Sequence, residues 1–190
     1  QIDLQTGEAL SYQFLGTGAE FDYFYDLDAT LDGHLIQSGQ SSHPDGQWVR
    51  KCTKSGEQIW SKIYTYPAGV RGGHVAVCND GGYLLTSTKF DYNSEMRPQL
   101  FKVNGDGDVQ WGYNYGTEDQ RFITAIQTSD GGFLAVGIIF LEHTQIFVVK
   151  TTPDGLVDGC CSLPQAITPT AIPTQAPLQR LMLYWKHACE

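Results

Sequence analysis

The stretch NGDGD sets Asn104, Asp106 and Asp108 in alternation, three hard-oxygen side chains within five residues. That spacing suits a loop that wraps Ca²⁺. A complete calcium loop also needs a distal carboxylate, and none stands at the right offset. The competing expectation is a hairpin turn in which Asn and Asp bond their own backbone. The histidines are His34, His43, His74, His143 and His187, and no two fall at i, i+2 or i, i+4, so no local metal pair exists. There is no Gly-x-Ser-x-Gly elbow, no His-Glu-x-x-His and no phosphate loop. With 21 acidic residues, chance carboxylate pairs are plentiful and single out no acid–base couple. The arginines, Arg50, Arg71, Arg97, Arg121 and Arg180, read as scattered points along the chain. The expectation is no enzyme and no cofactor, with calcium as the one option.

Aromatic residues are the remaining chemical signal. FDYFYDLD (21–28), YTYP (64–67) and FDYNSEM (90–96) put rings beside acidic groups. Such loops stack on sugar rings or dock a protein partner. The candidates for a partner or ligand surface are Trp48, Tyr66, Tyr92 and Tyr25. The competing expectation for them is packing between structural units.

Cysteines number five: Cys52, Cys78, Cys160, Cys161 and Cys189. An odd count leaves at least one unpaired within the chain, and no Cys-x-x-Cys pair suggests zinc. Adjacent Cys160 and Cys161 do not easily bond each other, so one of them with Cys189 is the candidate bridge. The alternative is three or more free thiols.

The elements that would position these groups follow from a repeat. Asp32, Asp80 and Asp130 each open a glycine turn, at spacings of 48 and 50. A second marker, Gly7, Gly56, Gly107 and Gly155, recurs at 49, 51 and 48. Two markers with one period are hard to obtain by chance. Trp60 and Trp111 each lie four residues after the second glycine, and Lys51, Lys102 and Lys150 five before it. Gly39, Ser87 and Gly137, all small, lie seven after the aspartate. The middle unit reads as strands over 74–79, 83–89, 99–104 and 108–115. Asp-Gly and Gly-Gly join them because glycine reaches positive φ without steric cost.

The fold class expected is all-β: a β-propeller-like array of four-stranded antiparallel blades. Three full units cover about 20–64, 70–115 and 121–161, and a half unit covers 1–14. A lone four-stranded sheet cannot cover both faces, so repetition is a physical need. Trp60 and Trp111 are expected on the outer strand, filling the space between units. Residues 162–177, with prolines at 164, 169, 173 and 177, read as a Pro/Thr-rich linker. Residues 178–190 read as a short apolar segment. The chain begins at Gln1 inside a half unit, which suggests a trimmed or mature product or a piece of a longer one.

The units resemble the extracellular propeller repeats of large Bacteroidetes-type surface and secreted proteins. The phrase that carries the resemblance is Asp80, Gly81, Gly82, Tyr83 and Leu84, then Lys102, Gly107, Trp111, Tyr115 and Gly116. It spans about residues 1–161 and speaks to fold more than to activity. The first unit departs from it with His34 for the second glycine, and the third with Gly159 for the Trp. Likenesses to quinoprotein, sialidase Asp-box and kelch repeats are partial and assign no activity.

The resemblance implies an extracellular or cell-surface place. The function expected is a non-enzymatic module in structure, adhesion or assembly, working through protein partners or self-association. The alternatives are a carbohydrate-binding propeller and a fragment of a propeller hydrolase. A net charge of −9 argues against nucleic acid. No apolar run reaches the ~18–20 residues of a membrane helix.

Overall fold

The structure is a computed structural model, described over residues 22–66, 69–90, 96–116, 119–140, 142–157 and 165–174. The first sheet is built from β1 (Asp22–Ala29), β2 (Leu35–Ser42), β3 (Asp45–Cys52) and β4 (Gln58–Thr65). The second takes β5 (Val70–Val77), β6 (Tyr83–Phe90), β7 (Met96–Val103) and β8 (Val109–Asn114). The third takes β9 (Gln120–Gln127), β10 (Phe133–Phe140) and β11 (Thr144–Thr151). Each strand pairs antiparallel with the next, so each sheet is a meander, and no helix occurs among the described residues. The protein is all-β, in three antiparallel sheets. The half unit 1–14 and the segment 178–190 lie outside the described residues.

Burial follows from how many faces each sheet covers. Ile36, Val49 and Tyr64 of the first sheet pack on Val75, Tyr83, Leu85, Phe101 and Val103 of the second. The opposite face of the second sheet gives Leu84, Leu100 and Tyr115 to a second core with Phe122, Ala125, Phe133 and Ala135 of the third. The second sheet is thus apolar on both faces, and β6 and β7 are buried almost continuously. In the third sheet β10 alternates buried and half-buried, because the described structure covers only one of its faces.

The segment expected as a linker is corrected in part. Residues of β12 (Gln165–Ala166) pair with Tyr113 and Asn114 of β8. Those of β13 (Thr170–Pro173) pair with Lys62 to Thr65 of β4. The sequence reading weighed proline against an inner strand. An edge strand needs one row of donors only, so Pro169 before β13 and Pro173 at its end are tolerated.

Candidate functional site

Two turns recur in every sheet with the same hydrogen bonds. In the first, Gly33, Gly81 and Gly131 donate to the carbonyls of Thr30, Cys78 and Thr128. Their φ values of 79°, 79° and 82° require glycine. His34 replaces the second glycine without disturbing the turn, since its carbonyl accepts from Thr30 as that of Gly82 does from Cys78. In the second turn Gly56, Gly107 and Gly155 donate to Thr53, Asn104 and Thr152.

The two sequence markers meet as an ion pair in each sheet. Lys51 Nζ lies 2.7 Å from Asp32, Lys102 2.8 Å from Asp80, and Lys150 2.8 Å from Asp130. Each lysine on the third strand thereby pins the turn between the first two. Lys51, with help from the Thr30 hydroxyl, holds the Asp32 carboxyl at about 2, below its ordinary 3.8. Lys150, the Thr128 hydroxyl and the Gly132 N–H hold Asp130 down in the same way. At Asp80 burial pushes the carboxyl up, but Lys102 and the Gly82 N–H outweigh it.

These depressed values set a pH dependence. A carboxyl held low in the fold stabilises it fully above its unfolded value and loses that contribution as pH falls through the folded one. For Asp32 the window runs from 3.8 down through about 2. The melting temperature is expected to fall over that window, and Asp32→Asn to flatten part of the fall. A melting temperature constant down to pH 2 would contradict this.

Between sheets, aromatic residues of one strand close on the second turn of the next sheet. The Trp60 Nε1–H donates to Gly105 O at 3.0 Å, and the Tyr64 hydroxyl to Gly107 O at 2.7 Å. One sheet further, the Tyr115 hydroxyl donates to Gly155 O at 2.6 Å. A Cβ on Gly155 would stand 2.7 to 3.0 Å from the Trp111 ring. Burial lifts the Tyr64 and Tyr115 phenols, which remain protonated donors. Trp60 packs against the first core and Trp111 against the second, where Trp111 meets Phe133 at 5.5 Å between ring centres.

The residues named for a surface do not gather into one. Trp48 is 6% exposed, and its Nε1–H donates to Ser61 Oγ at 2.7 Å. The Tyr66 hydroxyl is buried without a hydrogen-bond partner, and its ring meets Phe101 edge-on at 6.4 Å. Trp48 is therefore corrected to a buried residue of the first sheet and Tyr66 to a half-buried one against the second, because alternation in so short a stretch does not show which face is covered. Tyr25 is exposed on β1, its hydroxyl 3.1 Å from Gln40 Oε1. Tyr92 lies outside the described residues.

Asn104, Asp106 and Asp108 do share one turn. Asn104 Oδ1 accepts the N–H groups of Asp106 at 3.0 Å and Asp108 at 2.8 Å, and Lys62 Nζ sits 2.8 Å from Asp108 Oδ1. Asn104 Oδ1 is thus turned to the backbone and Asp108 Oδ1 to a lysine of the neighbouring sheet. Among the described residues no three His, Cys, Asp or Glu side chains are grouped to hold a metal. Cys52 and Cys78 are buried and free, and burial pushes the Cys78 thiol up to about 11. Cys160, Cys161 and Cys189 lie outside the described residues.

The surface that the sequence reading missed is on the third sheet. Val49, Leu100 and Val148 each stand two residues before the repeat lysine. Val49 and Leu100 are 0% exposed, and Val148 is 56% exposed. Four residues before that lysine, Gln47 is 0% exposed, whereas Ile146 is 76%. The lysine side chains follow suit, at 11% for Lys51, 4% for Lys102 and 45% for Lys150. Register joins Val148 to Val136 and Ile146 to Ile138 across β10 and β11, and Leu134 to Ile126 across β9 and β10. These six apolar side chains make one open face. The lysine register was the signal that could have found it.

Arg71 and Arg121 also correct the sequence reading. Each lies nine residues before its turn aspartate, so they are not scattered but occupy one station of two units. No helix among the described residues is long and apolar enough to cross a membrane. No protein-family model matches the chain, and no curated protein matches it.

Proposed function

We propose that this chain is a non-enzymatic repeat module of the extracellular β-propeller type, acting in structure, adhesion or assembly through protein–protein contact. The contact surface is the open face of the third sheet. One observation carries the proposal: positions sealed by the next sheet in the first two units are apolar and open in the third. A face of Ile, Leu and Val that continues an existing stacking order is suited to another sheet of the same kind. A second copy of the chain supplies one. The resemblance to Bacteroidetes-type surface repeats supports the propeller reading and the extracellular place. The proposal needs no cofactor.

Light scattering after size exclusion tests it. The chain is expected to exceed the 21.0 kDa monomer mass as concentration rises. Val148→Asp, which places a charge on the open face, is expected to return it to that mass without loss of fold. A monomer at every concentration, or an unchanged oligomer in the variant, would overturn the proposal.

A further inference from the structure

Arg71 on β5 and Arg121 on β9 occupy equivalent stations of the first strands of two sheets, and both are exposed. Each guanidinium lies over an equivalent phenylalanine at the end of the adjoining strand. Arg71 is 4.4 Å from the Phe90 ring centre and Arg121 is 5.6 Å from that of Phe140. Stacking on a ring fixes the guanidinium plane and leaves its N–H edge free to donate. Among the described residues neither arginine has a carboxylate partner, in a chain with 21 acidic residues. Two unpaired, pre-oriented cations at one station are unusual on an acidic protein.

The strand β1 lies against β5, and β5 against β9, so these first strands run side by side. Unit one has Tyr23 at the arginine station, nine residues before Asp32. Tyr23, Phe24 and Tyr25 are 54%, 58% and 43% exposed. Burial lifts the Tyr25 phenol above its ordinary value, while Arg71 and, more weakly, Arg121 pull it down. Arg71 and Arg121 thus stand on neighbouring first strands, next to the strand that carries these aromatics. Arg71 stays exposed although the third sheet covers its face of the second. Arg121, paired with Ile138, shares the open face of the third sheet, at a station that stays exposed in the second.

We infer that Arg71, Arg121 and the β1 aromatics form a binding site for a saccharide carrying a carboxylate or sulfate group. The two forks hold the anionic group through charge-assisted hydrogen bonds. The exposed tyrosine rings offer flat apolar faces to the C–H side of the sugar ring. The acidic remainder of the surface repels polyanions that do not fit, which favours a ligand with isolated charges.

Calorimetric titration tests this with four probes: a uronic-acid oligosaccharide, a sulfated oligosaccharide, the matching neutral oligosaccharide and a glutamate-rich peptide. At least one charged saccharide is expected to bind, and which one does separates carboxylate from sulfate. Arg71→Gln or Arg121→Gln is expected to weaken it about tenfold, the loss of one hydrogen-bonded charge. The double variant should abolish measurable binding. Lys54→Gln, the same charge change on an exposed turn residue, should leave it unaltered. Thermal unfolding of each variant establishes that the fold is kept. The inference is overturned by binding to neither charged saccharide, by equal binding of the neutral saccharide or the peptide, or by a double variant that binds as the parent does.

Discussion

Gly72→Ala is expected to destabilise the protein by about 3 kcal/mol or more, at the upper end of what overpacking costs. Gly72 is on β5, against the backbone of Gly39 on β2 of the first sheet. A Cβ there would fall inside the van der Waals radius of the Gly39 carbonyl oxygen, with the carbonyl carbon at 2.8 Å and Gln47 Cγ at 3.3 Å. Both obstructing groups nearest to it are backbone, so no rotamer change relieves the clash. The sheets must separate, and the core of Ile36, Val49, Tyr64, Phe101 and Val103 between them opens. Gly33→Ala provides the comparison. At Gly33 a Cβ meets nothing within 4 Å, and only its φ of 79° opposes substitution, a cost of about 1 kcal/mol. Urea unfolding of both variants separates steric contact from backbone strain. Equal losses would show that the sheets do not approach as described.

Phe101→Ala is expected to cost about 3–5 kcal/mol, the range for deleting a buried aromatic ring and leaving a cavity. Phe101 on β7 is 0% exposed, and its ring centre is 5.1 Å from that of Tyr64 across the sheet interface. Its loss leaves Tyr64 and Tyr66 without their packing partner, and Tyr64 carries the hydrogen bond to Gly107. The consequence should pass from packing to the latch: the first sheet loses its hold on the second turn of the second. Val148→Ala on the open face should change monomer stability by less than about 0.5 kcal/mol, as surface substitutions do. A Phe101 variant as stable as the Val148 variant would place the core elsewhere.

Much of the fold was legible because turns constrain residue type more tightly than strands do. Positive φ at two stations per unit demands glycine, so Gly81 and Gly107 and their counterparts kept a period visible by eye. The Asp and Lys series were legible as markers, though not as pairs. Their common period already required that they meet at one place in every sheet. The three sheets follow from those turns, and the ring closure of a propeller does not, because closure depends on angles between sheets that no turn residue encodes.

The site was less legible, for physical reasons. Trp48 and Tyr66 looked available because an aromatic residue is equally suited to a surface and to an interior, and only the covering layer decides. The 162–177 segment looked like a linker because its composition opposes inner strands, yet edge pairing asks less of a sequence. Val148 and Ile146 are apolar residues of a strand, as core residues are. Their apolar character is unremarkable until the lysine register shows that the same positions are sealed in two sheets and open in the third. Arg71 and Arg121 read as scattered because the first unit carries Tyr23 at their station, so the arginine recurs in only two units.

Hydroxyl-radical footprinting across a concentration series tests the central claim, that the open face of the third sheet is sealed by a second copy. Labelling at Ile146 and Val148 should fall several-fold from dilute to concentrated protein, while Leu31, 66% exposed on the first turn, stays constant. Labelling at Ile146 and Val148 that tracks Leu31 at every concentration would contradict it.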